Sequence, residues 1–290
     1  MPSWHWIPCL GGRSMRPILE RIDFTVRALC ASGGQIDRVP TGTDYYSIMD
    51  CLADFKDNPG GVMAVGGSED VDEYPVDVQP RGKFPVVVDY NDNNDDGMSR
   101  GGRIALVGHS AGGWISRIYL SSKSYGGKSY GGSRFVHSLV TLGTPNADAD
   151  GAAFRGLEWV NRVEKENQQQ KERDEEGNND RFDVAGLAVA GAGFCGADAL
   201  GDSYDFCGGE EGVKKEDVDG DGLTPVFSAL NWKKADQMLL RGKVTHFPWE
   251  NVLGGGLLLP ELVRARERNV PWYGDTEVMD QWVPWFEQFF

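Results

Sequence analysis

Gly108-His109-Ser110-Ala111-Gly112 is a G-x-S-x-G pentapeptide lying between an apolar run and a helical pattern. A serine hydroxyl is a weak nucleophile until a base takes its proton and an acid orients that base. At a strand-to-helix turn the serine is held in a strained backbone conformation that exposes its hydroxyl. Glycines are expected on either side, because side chains two residues away would collide. The helix N-terminus just beyond favours a developing oxyanion. The spacing therefore points to acyl chemistry with Ser110 as nucleophile.

The base follows by elimination among four histidines. His5 lies far upstream in the N-terminal segment. His109 adjoins the serine and is expected to point away from it. His137 stands in an apolar strand-like run, as a core histidine would. His246 remains, at the end of the last predicted strand and followed by Phe247-Pro248, which cannot continue it. The orienting acid is expected between serine and histidine in chain order. Asp217-Val-Asp219-Gly-Asp221-Gly222 lies 24–29 residues before His246. Asp221, just ahead of Thr224-Pro225, is preferred, with Asp219 second. The same D-x-D-x-D-G pattern matches the first half of a calcium loop, but Ser228 stands where that loop needs a bidentate Glu, and Pro225 falls inside it.

These residues need elements to hold them. A helix is expected over Met15–Cys30 with Ser14 as its N-cap. Strands are expected at Phe84–Tyr90, at Arg103–Gly108 (uniformly apolar, as in a parallel strand buried on both faces), at Arg134–Leu142 and at Met238–His246, interrupted by Gly242. Helices are expected at Gly112–Ser122, at Ala152–Glu166 and at Thr224–Leu239, the last with Thr224 as N-cap and Pro225 at its first position. The tract 164–180 lacks apolar residues after its start and reads as a disordered acidic loop. The acidic, Gly-rich region 56–83 and the SYGGKSYGGS stretch read as loops. Alternating strands and helices predict an α/β fold with a mostly parallel sheet flanked by helices.

Composition sets the outer bounds. The 290 residues carry 29 Lys plus Arg against 44 Asp plus Glu, a formal charge of −15. That excess argues against nucleic acid as a partner, because phosphate binding requires a basic patch. No apolar run reaches the ~18–20 residues that span a bilayer. Val184–Ala197, the longest candidate, has 14 residues, mostly Ala and Gly. The N-terminus lacks the pattern of a signal peptide. Five scattered cysteines without C-x-x-C spacing argue against a disulfide framework or structural zinc.

GHSAGGWISRIYL, TLGTPN, FRGLEWVN, SYDFCG, DGDGLTPVFSAL and PWYGDTEVMDQWV together resemble a family of plant, algal and cyanobacterial α/β-hydrolases. That family is grouped with lipase-like and GPI inositol-deacylase-like proteins. The resemblance covers roughly residues 103–290 and implies the nucleophile on Ser110, the acid on Asp221 and the base on His246. It further implies that Ile7-Pro8-Cys9-Leu10-Gly11-Gly12 is the oxyanion loop, with Leu10 and Ala111 donating backbone N–H groups. Cys9 departs from the glycine of the family's P-G-L-G, and residues 56–83 have no counterpart.

The expectation is a single α/β-hydrolase domain over 1–290, with a lid-type insertion at 144–216 carrying apolar Ala185–Phe194. It would be a serine ester hydrolase acting through an acyl-enzyme on a lipid or other apolar acyl ester. It would use no cofactor and no metal, and would be an intracellular soluble protein of cytoplasm or plastid that touches membranes only peripherally. The alternatives are an acyltransferase or thioesterase with the same triad, or a hydrolase-fold binding module of little activity.

Overall fold

The computed structural model describes residues 15–31, 103–149, 154–173, 184–195, 203–207, 214–247 and 270–289. The strand expected at Phe84–Tyr90, the cap at Ser14 and region 56–83 lie outside them. Contacts divide the chain into two compact units, Met1–Ile104 with Tyr119–His137, and Ala105–Ile118 with Ser138–Phe290.

The first unit is built on α1 (Arg16–Ala31). Leu19, Asp23, Val26 and Cys30 recur at helical spacing and are buried. Asp23 is the polar member of that stripe. It pairs with Arg27 at 2.8 Å and accepts the Tyr119 hydroxyl at 3.4 Å. In the SYGGKSYGGS stretch, Tyr125 and Lys128 exchange backbone hydrogen bonds across Gly126-Gly127. Both glycines have positive φ, as a two-residue hairpin turn requires.

The second unit contains the parallel sheet. Its order is β1 (Ile104–His109), β2 (Val136–Leu142), β3 (Ala185–Ala192), β4 (Asp236–Lys243), sequential and all parallel. Between the strands run α2 (Ala111–Leu120), α3 (Arg155–Arg173), the one-turn α4 (Ser203–Phe206) and the short α5 (Val226–Leu230). After β4 come α6 (Thr276–Trp282) and a 3-10 segment, Val283–Phe289. Val140, Leu142, Leu187, Val189, Leu240, Val244, Tyr273, Val278 and Trp282 form one buried cluster across the sheet. This is an α/β architecture, as expected.

Four local expectations need correction. The apolar stretch Ala185–Phe194, placed within an insertion, supplies β3, which is paired on both sides and buried along its length. Its Ala and Gly content hides it, because these residues have low strand propensity. Their smallness is what the packing needs. A Cβ on Gly186 would stand 2.8 Å from Trp232, and one on Gly191 would stand 3.0 Å from the Tyr273 hydroxyl.

α3 runs to Arg173, so residues 164–173 are helix and not loop. Leu157, Val160 and Val163 bury its first half, and strong helix formers carry the nucleated helix onward into solvent. The helix expected over Thr224–Leu239 ends at Leu230, its N-cap is Pro225, and β4 already begins at Asp236. β1 is not buried on both faces, since it lies at an edge of the described sheet with Val107 47% exposed.

One buried charge ties the helices to the sheet. The Arg117 guanidinium on α2 donates to Asn146 (2.9 Å), Asn161 (2.6 Å) and Glu164 (2.9 Å). A buried arginine is tolerated when its donors are paired in this way. The network fixes the TLGTPN turn after β2 against α2 and α3.

Candidate active site

In a parallel sheet the residues that follow each strand gather at one edge, and such edges hold the sites of α/β proteins. Ser110 follows β1, Asp221 lies between β3 and α5, and His246 comes shortly after β4. Ser110 stands 111 residues before Asp221 and 136 before His246, yet topology places all three beyond the C-terminal ends of strands.

Ser110 has φ 55°, the only positive value at a non-glycine among the described residues. A left-handed conformation costs an L-residue roughly 1–2 kcal/mol, so the surroundings must hold it. They do so through three hydrogen bonds. Ser110 N–H donates to the Leu142 carbonyl at 2.9 Å, and its own carbonyl accepts Gly113 N–H at 3.1 Å and the Thr144 hydroxyl at 2.8 Å.

The glycine requirement is met differently from expectation. A Cβ on Gly108 would lie 2.6 Å from Gly113 Cα, and one on Gly113 would run into the Thr144 side chain. Gly112 has open space around it. The close approach thus needs Gly108 and Gly113, not Gly112.

His246 is 1% exposed, and its Nδ1–H donates to Asp221 Oδ2 at 2.7 Å. Its Nε2 is buried and has no hydrogen-bond partner among the described residues, so the Ser110 hydroxyl does not yet engage it. Catalytic hydrogen bonds are often loose before substrate binds. The backbone N–H of His246 also donates to the Asp221 carbonyl at 2.9 Å.

The Asp221 carboxylate is saturated. Oδ1 accepts the N–H groups of Leu223 (3.0 Å) and Thr224 (2.8 Å), while Oδ2 accepts His246 and the Tyr273 hydroxyl (2.8 Å). Burial by itself would raise this carboxyl, but the His246 charge and hydrogen bond, with the two backbone donors, hold it below the usual range. Asp219, the second choice for the acid, has a different task. Its Oδ1 accepts N–H groups from Gly193 (2.8 Å), Phe194 (3.0 Å) and Gly220 (2.8 Å), pinning the turn after β3. Asp219 Oδ1 and both Asp221 oxygens are thus turned toward protein donors, an arrangement that does not suit cation ligands.

Two residues join the site without having been expected there. His109 packs its ring 4.7 Å from that of His246, and its Nε2–H donates to the His246 carbonyl at 2.9 Å. Burial, then the nearby His246 charge, push its pKa down to about 3, so it stays neutral. Tyr273 is fully buried and bonded to Asp221. Burial and the Asp221 charge hold its phenol well above the ordinary value, so it remains a donor. PWYGD carried no chemical signal that would reveal this role.

Ala111 opens α2, where backbone N–H groups lack partners within the helix. Leu10 and His5 lie outside the described residues. No helix among the described residues is long and apolar enough to cross a membrane. No protein-family model matches the chain, and no curated protein matches it significantly.

Proposed function

We propose that the chain is a serine ester hydrolase of the α/β-hydrolase fold, working through an acyl-enzyme. One observation carries the reading. A strained serine between β1 and α2 shares a sheet edge with a buried His–Asp pair whose Nε2 has no partner among the described residues. Ser110 Oγ attacks the ester carbonyl, and His246 Nε2 takes the hydroxyl proton. The Asp221 carboxylate, held ionised, stabilises the imidazolium. The oxyanion is met by the N–H group of Ala111 at the start of α2, and the family resemblance implies Leu10 as the second donor. His246 returns the proton to the leaving alcohol, and water then releases the acyl group by the same steps in reverse order.

The preference for a lipid or other apolar acyl ester rests on the lipase-like resemblance. The apolar stretch expected to cover the acyl group is a sheet strand. Fluorophosphonate labelling tests the nucleophile, with loss of the label expected in Ser110→Ala. Turnover of p-nitrophenyl esters from C2 to C12 should fall on the order of 10⁶-fold in that variant. Label retained after the substitution would remove Ser110 from the reaction. Rates that do not vary with chain length would remove the apolar acyl pocket.

A further inference from the structure

We infer that Tyr273 is a positioning residue for the base, setting the basicity of His246 through Asp221. The inference rests on the reading of His246 as the general base. The phenol is oriented from both sides: its oxygen accepts the Gly191 N–H of β3 at 2.7 Å and its proton goes to Asp221 Oδ2 at 2.8 Å. That oxygen is the one His246 Nδ1 uses at 2.7 Å. Two donors on one oxygen share its charge, so the tyrosine moderates the pull of Asp221 on the imidazole.

The surroundings are shaped for this contact. Gly143, with φ 54°, leaves the necessary room: a Cβ there would lie 2.5 Å from Asp221 Oδ2 and 2.8 Å from the Tyr273 oxygen. The Tyr273 loop is clipped beside the base by Thr245 N–H donating to the Pro271 carbonyl (2.8 Å). Trp282 Nε1–H donates to the Tyr273 carbonyl from α6 (3.1 Å).

The other groups facing the pair are uncharged. His109 against the His246 ring is pushed down to about 3, and the Cys207 thiol near Asp221 is pushed up to about 12 by burial and that carboxylate. The Tyr204 hydroxyl donates to the Phe194 carbonyl. The Asp221 carboxylate interacts with His246 by charge and hydrogen bond, and the Tyr273 hydroxyl is the other side-chain donor to it among the described residues.

The experiment is an imidazole ¹⁵N titration of the full chain, with His246 assigned by loss of its signals in His246→Gln. Tyr273→Phe removes the donor and should raise the His246 pKa by roughly one unit. Site-specific 3-fluorotyrosine at 273 makes a stronger donor and should lower it. With p-nitrophenyl acetate, the acid limb of kcat/KM should move in the same directions, and kcat of Tyr273→Phe should drop on the order of tenfold with KM little changed. A His246 pKa unmoved by either variant, with only the melting temperature reduced, overturns the inference. If Tyr273→Phe does not fold, the fluorotyrosine titration decides alone. Shifts in the titration without Ser110-dependent turnover would overturn the hydrolase reading, and with it the role of His246 as base, while the coupling of Tyr273 to His246 through Asp221 would stand.

Discussion

The Thr144 hydroxyl holds the carbonyl of Ser110 at 2.8 Å, reaching from the turn after β2 to the turn after β1. This contact and the Gly113 approach keep Ser110 at φ 55°. The strain should be visible in stability. Ser110→Gly should be more stable than Ser110→Ala by about 1 kcal/mol, because glycine enters the left-handed region freely. Both variants should be inactive. Chemical denaturation of the two proteins checks this, and equal stabilities would mean that the turn stores no strain.

The glycines of the turn should separate cleanly. Gly112→Ala has open space and a helical position, so it should be neutral or stabilising by up to about 1 kcal/mol. Gly113→Ala places a methyl group into Thr144 and should cost about 1–3 kcal/mol with a large loss of esterase rate. Thermal melts and p-nitrophenyl ester turnover distinguish the pair.

The aspartates of DVDGDG should divide between rate and stability. Asp221→Asn should fold and lose roughly 10⁴ in turnover, through the wrong imidazole tautomer. Asp219→Ala strips the acceptor from three backbone N–H groups and should cost about 1–3 kcal/mol while the folded fraction stays active. Asp217 is exposed, and Asp217→Asn should change neither. EDTA should leave all three proteins unaffected. Parallel measurements of melting temperature and rate would show a reversed order if Asp219 were the acid.

Buried neutral His109 predicts a stability slope on the acid side. Its ordinary pKa of 6.5 applies to the unfolded chain and falls to about 3 on folding. The unfolded state therefore binds more protons between those values. Stability is full above about pH 6.5 and is lost progressively as the pH falls toward 3. His137, also lowered by burial, adds a slope of the same sign, and Asp221 adds one only below its ordinary 3.8. His109→Gln should flatten the melting-temperature decline between pH 7 and 4. An unchanged slope would show that His109 is not buried neutral.

Short-range sterics and chain order made part of this site legible in the amino-acid sequence alone. The strand, serine turn and helix around Ser110 depend on neighbours within a few residues, and a scarcity of histidines left His246. Asp221 stood out over Asp219 by its place ahead of Thr224-Pro225, and its carboxylate lies 2.7 Å from His246 Nδ1. What tertiary structure decided is every partner brought in from a distant element. β3 was hidden because Ala and Gly signal a strand only once Trp232 and Tyr273 are seen packed against them. Asp219 stood second as the orienting acid until the turn after β3 brought its three N–H donors to it. Tyr273 is 52 residues from Asp221, and no local pattern encodes a hydrogen bond across that span. Backbone conformation is set by adjacent residues, whereas the charge and orientation of a buried catalytic group are set by whatever the packed core places beside it.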